Sequence, residues 1–270
     1  SISESGSTFS LAWEAGDVVN VANSTNIFYK TDQPMVDSPD GANAMFSISL
    51  PSVTGDVTDY ILTSSSFLSR SANFLRGAIA ASQSYDANSL AESSFLVAIN
   101  KNCPVGDPGE SFSFKTMNSF LKFEVTNGDK VNYPKMYLQN IKVETVGKEQ
   151  IAGRFAINLQ SDTWSTAYGE DAGIDNSDKS SVIILNCGNK EIGDSPVAFY
   201  VAAAFGTYSK GLKVTFTVKD GNGSLGEVVK YISNNTEMTL QRNVLYKYPA
   251  VALQPQPVVV DTYTLISTIS

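Results

Sequence analysis

The stretch GEDAGIDNSD, residues 169–178, crowds Glu170, Asp171, Asp175 and Asp178 together, the residue types that hold calcium. A calcium loop alternates acidic or amide ligands, turns sharply at a glycine and closes on a distal bidentate glutamate. The spacing here does not follow that order, so a solvated acidic loop is the expected reading. GNGSLG, residues 221–226, is glycine-rich like a phosphate cradle. Such a cradle continues into Lys-Ser or Lys-Thr and a helix, whereas here Glu227 and a strand pattern come next. Its serine is also misplaced for a G-x-S-x-G elbow. The chain has no histidine, which removes Ser-His-Asp and Cys-His catalysis, histidine-ligated zinc and histidine-based pH switching. A separated pair of carboxylates for glycoside hydrolysis stays open, but no Asp or Glu stands out by its surroundings. No cofactor motif is present, and the expectation is a non-enzyme.

Aromatic side chains offer binding chemistry instead. Trp13, Trp164, Tyr168 and Tyr208 could stack on sugars. Trp164 and Tyr168 lie in a long polar insertion, TWSTAYGEDAGIDNSDKSS (163–181), and are the candidates for an adhesive loop. Packing is the favoured role for such rings in general. Cys103 and Cys187 read as two buried thiols; a disulfide needs an exported chain and close Cα atoms, which spacing does not show. The sequons at Asn23, Asn222 and Asn234 are short patterns that arise by chance.

The elements that must carry these residues are strands. Period-two alternation marks 44–51, 57–66, 93–101, 120–127, 135–146, 153–160, 180–186, 196–205, 212–220, 226–234 and 243–253. In LKVTFTVKD (212–220), Leu212, Val214, Phe216 and Val218 share one face and Lys213, Thr215, Thr217 and Lys219 the other, a half-buried antiparallel strand. DGNGS reads as the hairpin turn after it, with similar turns at 126–129 and 145–150. SRSANFLRGAIAASQ (69–83) carries Phe74, Ala78 and Ala81 at helical spacing and predicts one short helix. Many strands at short spacing predict an all-β protein of tandem antiparallel β-sandwiches. NCPVGDPGESFSF (102–114), rich in Gly, Pro and acidic residues, predicts a boundary: one domain over 1–112, a second over 113–253, and a tail over 254–270.

Composition agrees with a folded protein. The 270 residues are 42% hydrophobic and 17% charged, enough to bury a core. A net charge of -8 argues against nucleic acid and anionic membrane surfaces as partners. No run approaches the ~18 apolar residues of a spanning helix. A chain that starts at Ser1 without Met or a leader is expected to be trimmed, the missing segment having carried its address.

The order of four motifs resembles one family. FSLAWEAGDVVNVA (9–22) is similar to the W-x-x-G-D-x-I-x-V opening of the Bacteroidales fimbrillin family, which takes in type V pilins and fimbrillin-like cell-surface adhesins. FKTMNSFLKFEVTN (114–127) resembles the family's mid-chain strand, with Lys115 near a usual polar position. MYLQNIKVETVGKEQIAGRFAIN (136–158) resembles the hairpin after it, and LQRNVLYKYPAVAL (240–253) the closing strand, with Asn243 where glycine is usual. The Gly16-Asp17 turn would redirect the chain after Trp13 fills the core.

The resemblance implies two transthyretin-like β-sandwich domains and export as a lipoprotein precursor. It further implies a cell-surface, outer-membrane or fimbrial location, with contact to the membrane only through a lipid on the missing N-terminus. Partners would be other fimbrial subunits, joined by strand addition after a trypsin-like protease opens a groove, together with a surface receptor or glycan. No Lys or Arg precedes Lys30, so a basic cleavage site would lie upstream of Ser1. Within that frame the run QPQPVVVDTYTLISTIS (254–270) gains a role. Pro255 and Pro257 make a stiff spacer. Beyond them Val258, Val260, Thr262, Thr264 and Ile266 line one face, and Val259, Tyr263, Leu265 and Ile269 the other. Two apolar faces suit a strand inserted between sheets. The tail is either such a donor strand or a last strand folded on its own domain. A monomeric adhesin or glycan-binding protein on the same fold is the competing function.

Overall fold

The computed structural model describes residues 2–5, 8–23, 29–32, 35–36, 41–63, 67–70, 74–85, 95–107, 111–158, 166–167 and 179–258. In the first part of the chain the strands are β1 (Ile2–Ser5), β2 (Thr8–Leu11), β3 (Asn20–Ala22), β4 (Tyr29–Lys30), β5 (Met35–Val36), β6 (Ala44–Met45), β7 (Val57–Thr63), β8 (Phe67–Arg70), β9 (Phe74–Ile79), β10 (Ser82–Ser84) and β11 (Leu96–Pro104). Then come β12 (Lys115–Thr116), β13 (Ser119–Asn127), β14 (Met136–Thr145), β15 (Gly153–Asn158), β16 (Thr166–Ala167), β17 (Val182–Ile192), β18 (Val197–Ala203) and β19 (Gly206–Tyr208). The last are β20 (Leu212–Lys219), β21 (Leu225–Ile232), β22 (Met238–Leu240), β23 (Leu245–Lys247), β24 (Val251–Leu253) and β25 (Gln256–Pro257). The protein is all-β, and the described residues include no helix.

The largest sheet runs β10-β17-β14-β20-β21-β25. β18, β13 and β23 form another, in which β24 also pairs with β13. Inward side chains of these two sheets meet in one core: Ile141, Val143, Ile183, Val214 and Phe216 from the first, Leu121, Phe123, Val125, Phe199 and Val201 from the second. Phe123 and Phe216 touch edge to face at 5.9 Å between centroids. β20 behaves as its alternation predicts, with Leu212, Val214, Phe216 and Val218 all buried. Burial of such a face is the main stabilising term of a sheet of this kind.

A second, smaller cluster lies under the five-stranded sheet β12-β11-β7-β3-β4. Val19, Val21, Leu62 and Ala98 form it, with Trp13, Phe46 and Phe114 packed alongside. Trp13 meets Phe46 and Phe114 edge-on at 4.9 and 5.1 Å. The turn after it is tight: Glu14 donates its amide to Asp17 Oδ2 at 2.8 Å, and Gly16 takes φ of 100°. That conformation suits glycine alone.

The helix expected over 69–83 is not formed among the described residues of that range. β9 lies in its place, pairing with β15 from Gly153↔Ile79 to Asn158↔Phe74. Leu75, Gly77 and Ile79 point inward in alternation. A Cβ at Gly77 would come within 2.7 Å of the Phe95 ring and 2.9 Å of Phe155. Helical spacing of Phe74, Ala78 and Ala81 was the misleading signal, and contacts from distant strands override it. β9 and β10 thereby join strands from beyond residue 113. In the middle of β10, buried Gln83 replaces a strand partner for β18. Its side-chain amide donates to the Ala202 carbonyl at 2.7 Å and accepts from the Ala202 amide at 3.0 Å.

Two expected turns also differ. Residues 126–129 carry the chain from one sheet to the other, since β13 and β14 do not pair. β14 and β15 likewise separate after the 145–150 turn, β15 going to β9 and β16. The expected strand at 44–51 is a strand only at Ala44–Met45, and the one at 243–253 is split into β23 and β24. β13 pairs in parallel with both, as β10 does with β17. No hairpin links these partners, so nothing local sets their direction. Asn243, where glycine is usual, holds φ of 60° while its Oδ1 accepts from Thr116 Oγ1 at 2.8 Å. Asparagine is among the few non-glycine residues that adopt this conformation readily.

Candidate functional site

The site is the root of the C-terminal run. β24 brings the chain along β13 to Leu253, which is fully buried. Gly128 donates its amide to the Leu253 carbonyl at 2.8 Å, and the space a Cβ would need there is already taken by Leu253 and Ala252. The chain then crosses to the large sheet. β25 pairs antiparallel with β21, Gln256 opposite Glu227 and Pro257 opposite Gly226. Val258 donates to the Leu225 carbonyl at 3.2 Å.

Local chemistry explains this docking. In an antiparallel pair, hydrogen-bonded and non-bonded positions alternate. With Val258 bonded to Leu225, Pro257 falls on a non-bonded position, and its missing N–H leaves no gap in the ladder. Pro255 has the same parity. The nitrogens of both prolines face away from β21, so this edge offers no N–H there to a further strand. Buried Pro255 and the buried Tyr133 ring meet over Gly226. A Cβ on Gly226 would lie 2.2 Å from Tyr133 Oη and 2.7 Å from Pro255 Cβ. Tyr133 is held by its own loop, its carbonyl accepting from Asn127 Nδ2 at 2.7 Å. Burial, then the charges of Asp220 and Asp129, push the Tyr133 phenol above its ordinary pKa, so the ring packs as a neutral group.

Of the donor-strand candidates, Val258 is placed at this edge. Val260, Thr262, Tyr263, Leu265, Ile266 and Ile269 lie outside the described residues, as do Trp164, Tyr168 and the acidic group Glu170, Asp171, Asp175 and Asp178. Trp13 is a packing residue. So is Tyr208, which is buried and donates its hydroxyl to the Ala204 carbonyl at 2.5 Å. Sequence reasoning missed Tyr133, Gly226 and the packing of Pro255. The only local signal was the glycine that ends GNGSLG, which a turn alone already accounts for.

Other reactive groups in the described part are structural. No group of three or more His, Cys, Asp or Glu is gathered there as metal ligands. Cys103 and Cys187 are free thiols, the first half-buried and the second buried. Burial raises the Cys187 thiol to about 12. The thiolate is the nucleophile, so at pH 8 Cys187 is inert. A thiol reagent is expected to label Cys103 in the native chain and both cysteines after denaturation. Rapid native labelling of Cys187, located by peptide mass, would contradict the burial described.

No family model matches the chain, and no curated protein matches its sequence. Solved structures similar to it include a "putative cell adhesion protein" from Bacteroides uniformis, at 12% identity and TM-score 0.48, covering 80% of this chain and 79% of that one. Another "putative cell adhesion protein", from Bacteroides ovatus, has 13% identity and TM-score 0.46, with 93% and 90% covered. A fimbrial protein from Bacteroides vulgatus has 10% identity and TM-score 0.41, with 87% and 89% covered.

Proposed function

We propose that the chain is a structural or adhesive subunit of a bacterial surface fimbria, assembling with other subunits by strand addition. The C-terminal run after Val258 is the strand it gives to a neighbour. Export to the cell surface, with a lipid anchor carried by an upstream segment, belongs to the same proposal. The observation that carries it is the root at residues 253–258. The run is clamped onto the sheet edge up to Val258, which bonds Leu225, the first residue of β21. Those residues alternate apolar groups on both faces. Backbone hydrogen bonds would supply affinity, and side chains in alternate pockets would set the register.

Removal of residues 259–270 tests this. The root stays intact in that truncation, whereas a cut at 255 would remove packed Pro255. The expected product is a folded monomer whose melting temperature matches the full chain and which no longer assembles in light scattering. A peptide of residues 258–270 is expected to raise its melting temperature, because a ligand at ~100 times Kd stabilises by about 2.7 kcal/mol. A truncated chain that melts well below the full one, with no response to the peptide, would show the run to be an intrinsic strand and overturn the proposal.

A further inference from the structure

We infer that the end of the six-stranded sheet around the β20–β21 turn binds a neutral saccharide. This goes beyond strand addition and does not depend on it. A notch of about 440 Å³ opens there between Tyr137 of β14, Asn189 of β17, and Lys219, Asp220 and Asn222 at the turn. That lies within the ~300–1,000 Å³ of small-ligand sites.

The turn is built to be rigid. Asp220 Oδ1 accepts from the amides of Asn222 and Ser224, both at 2.8 Å, and the Asp220 amide donates to the Ser224 carbonyl at 3.0 Å. Asp220 Oδ2 is left without a hydrogen bond among the described residues. Asn189 is oriented in the same way: its Oδ1 accepts from Gln139 Nε2, which leaves its own amide protons to donate. The Lys219 ammonium and the Tyr137 hydroxyl make no bond to another described residue.

Among the described residues, the groups left free around one notch are thus a carboxylate oxygen, the Asn189 amide N–H groups, the Asn222 carboxamide, an ammonium and a phenol ring. A pyranose presents a matching set. Its hydroxyls both donate and accept, and its C–H face packs on an aromatic ring. A phosphate or a nucleic acid fits poorly, because a single lysine is offset by Asp220 and the chain carries a net charge of -8. Calcium fits poorly too, since it takes about six to eight oxygen ligands and the notch holds one carboxylate. Because the turn is held by its own hydrogen bonds, little ordering accompanies binding.

The test is saturation-transfer NMR on the full chain with lactose, maltose and N-acetyllactosamine, each at ~10 mM, a range suited to Kd values near millimolar. Transfer to ring protons of at least one probe is expected. Tyr137→Ala and Asn222→Ala are each expected to weaken it about ten-fold, the loss that ~1.4 kcal/mol represents. Asn222 is exposed and Tyr137 half-buried on the outer face of β14, and unchanged melting temperatures verify the fold. Absence of transfer from all three probes overturns the inference, and so does transfer that survives both substitutions at full strength.

Discussion

Gly226→Ala is expected to destabilise the chain by ~2–3 kcal/mol, within the ordinary cost of overpacking a filled site. The added methyl would sit 2.2 Å from Tyr133 Oη and 2.7 Å from Pro255 Cβ. Neither neighbour gives way easily. The Tyr133 ring is buried, and its backbone is tied to Asn127. Pro255 is a rigid ring set between Leu253, which bonds Gly128, and β25, which bonds β21. The strain therefore falls on the pairing of β25 with β21, the contact that ends at Val258. Urea unfolding should show a lower midpoint with an unchanged slope. Amide exchange at Val258 should accelerate more than exchange in β14, because the root opens locally before the body does. Gly193→Ala is the control: a Cβ there meets nothing within 4 Å and φ is not positive, so its effect should be near zero. Equal midpoints for the two variants would show that the root is not packed as described.

Phe155→Ala is expected to cost more, ~3–5 kcal/mol, the usual range for removing a buried phenylalanine. Phe155 is 1% exposed and meets the fully buried Phe95 edge to face at 5.2 Å. Both rings press on Gly77 of β9. Phe95 and Gly77 precede the boundary expected at residue 112, and Phe155 lies beyond it. One core holds Leu75, Ile79 and Phe95 together with Phe155 and Phe199. Loss of the Phe155 ring should therefore lower a transition shared by strands on both sides of that boundary. Calorimetry reads this directly: a single endotherm shifted downward is expected. Two endotherms, only one of which moves, would instead favour independent units over 1–112 and 113–253.

These two experiments concern contacts that the sequence did not disclose. The tail was legible, since Pro255, Pro257 and the alternation beyond Val258 are local patterns. Its anchor was not, because Tyr133 and Gly226 reach Pro255 from far along the chain. Asn243 was legible as a departure from the usual glycine, but its reason appears only with φ of 60° and the bond from Thr116. The adhesive candidates Trp164 and Tyr168 rested on the polarity of their loop alone. The notch at Tyr137 and Asp220 showed in the sequence only as the glycine-rich GNGSLG turn, because β14 and β17 join that turn only through sheet order.

For strands with clear alternation, such as β20, strand identity was set by the sequence itself. A period of two in side-chain direction is a property of each segment, so Leu212, Val214, Phe216 and Val218 announce their shared face wherever the strand lies. The turn at 220–224 and the bend at Gly16 are equally local, needing only an Asp that hydrogen-bonds its neighbours or a residue tolerant of positive φ. Tertiary structure decided which strands are neighbours and in which direction they run. Each pairing joins segments distant in sequence, and its free energy depends on both partners at once. That is why 74–79 is a strand beside β15 despite its helical spacing, why β13 takes β23 and β24 in parallel, and why the C-terminal run is rooted on β21 at Gly226.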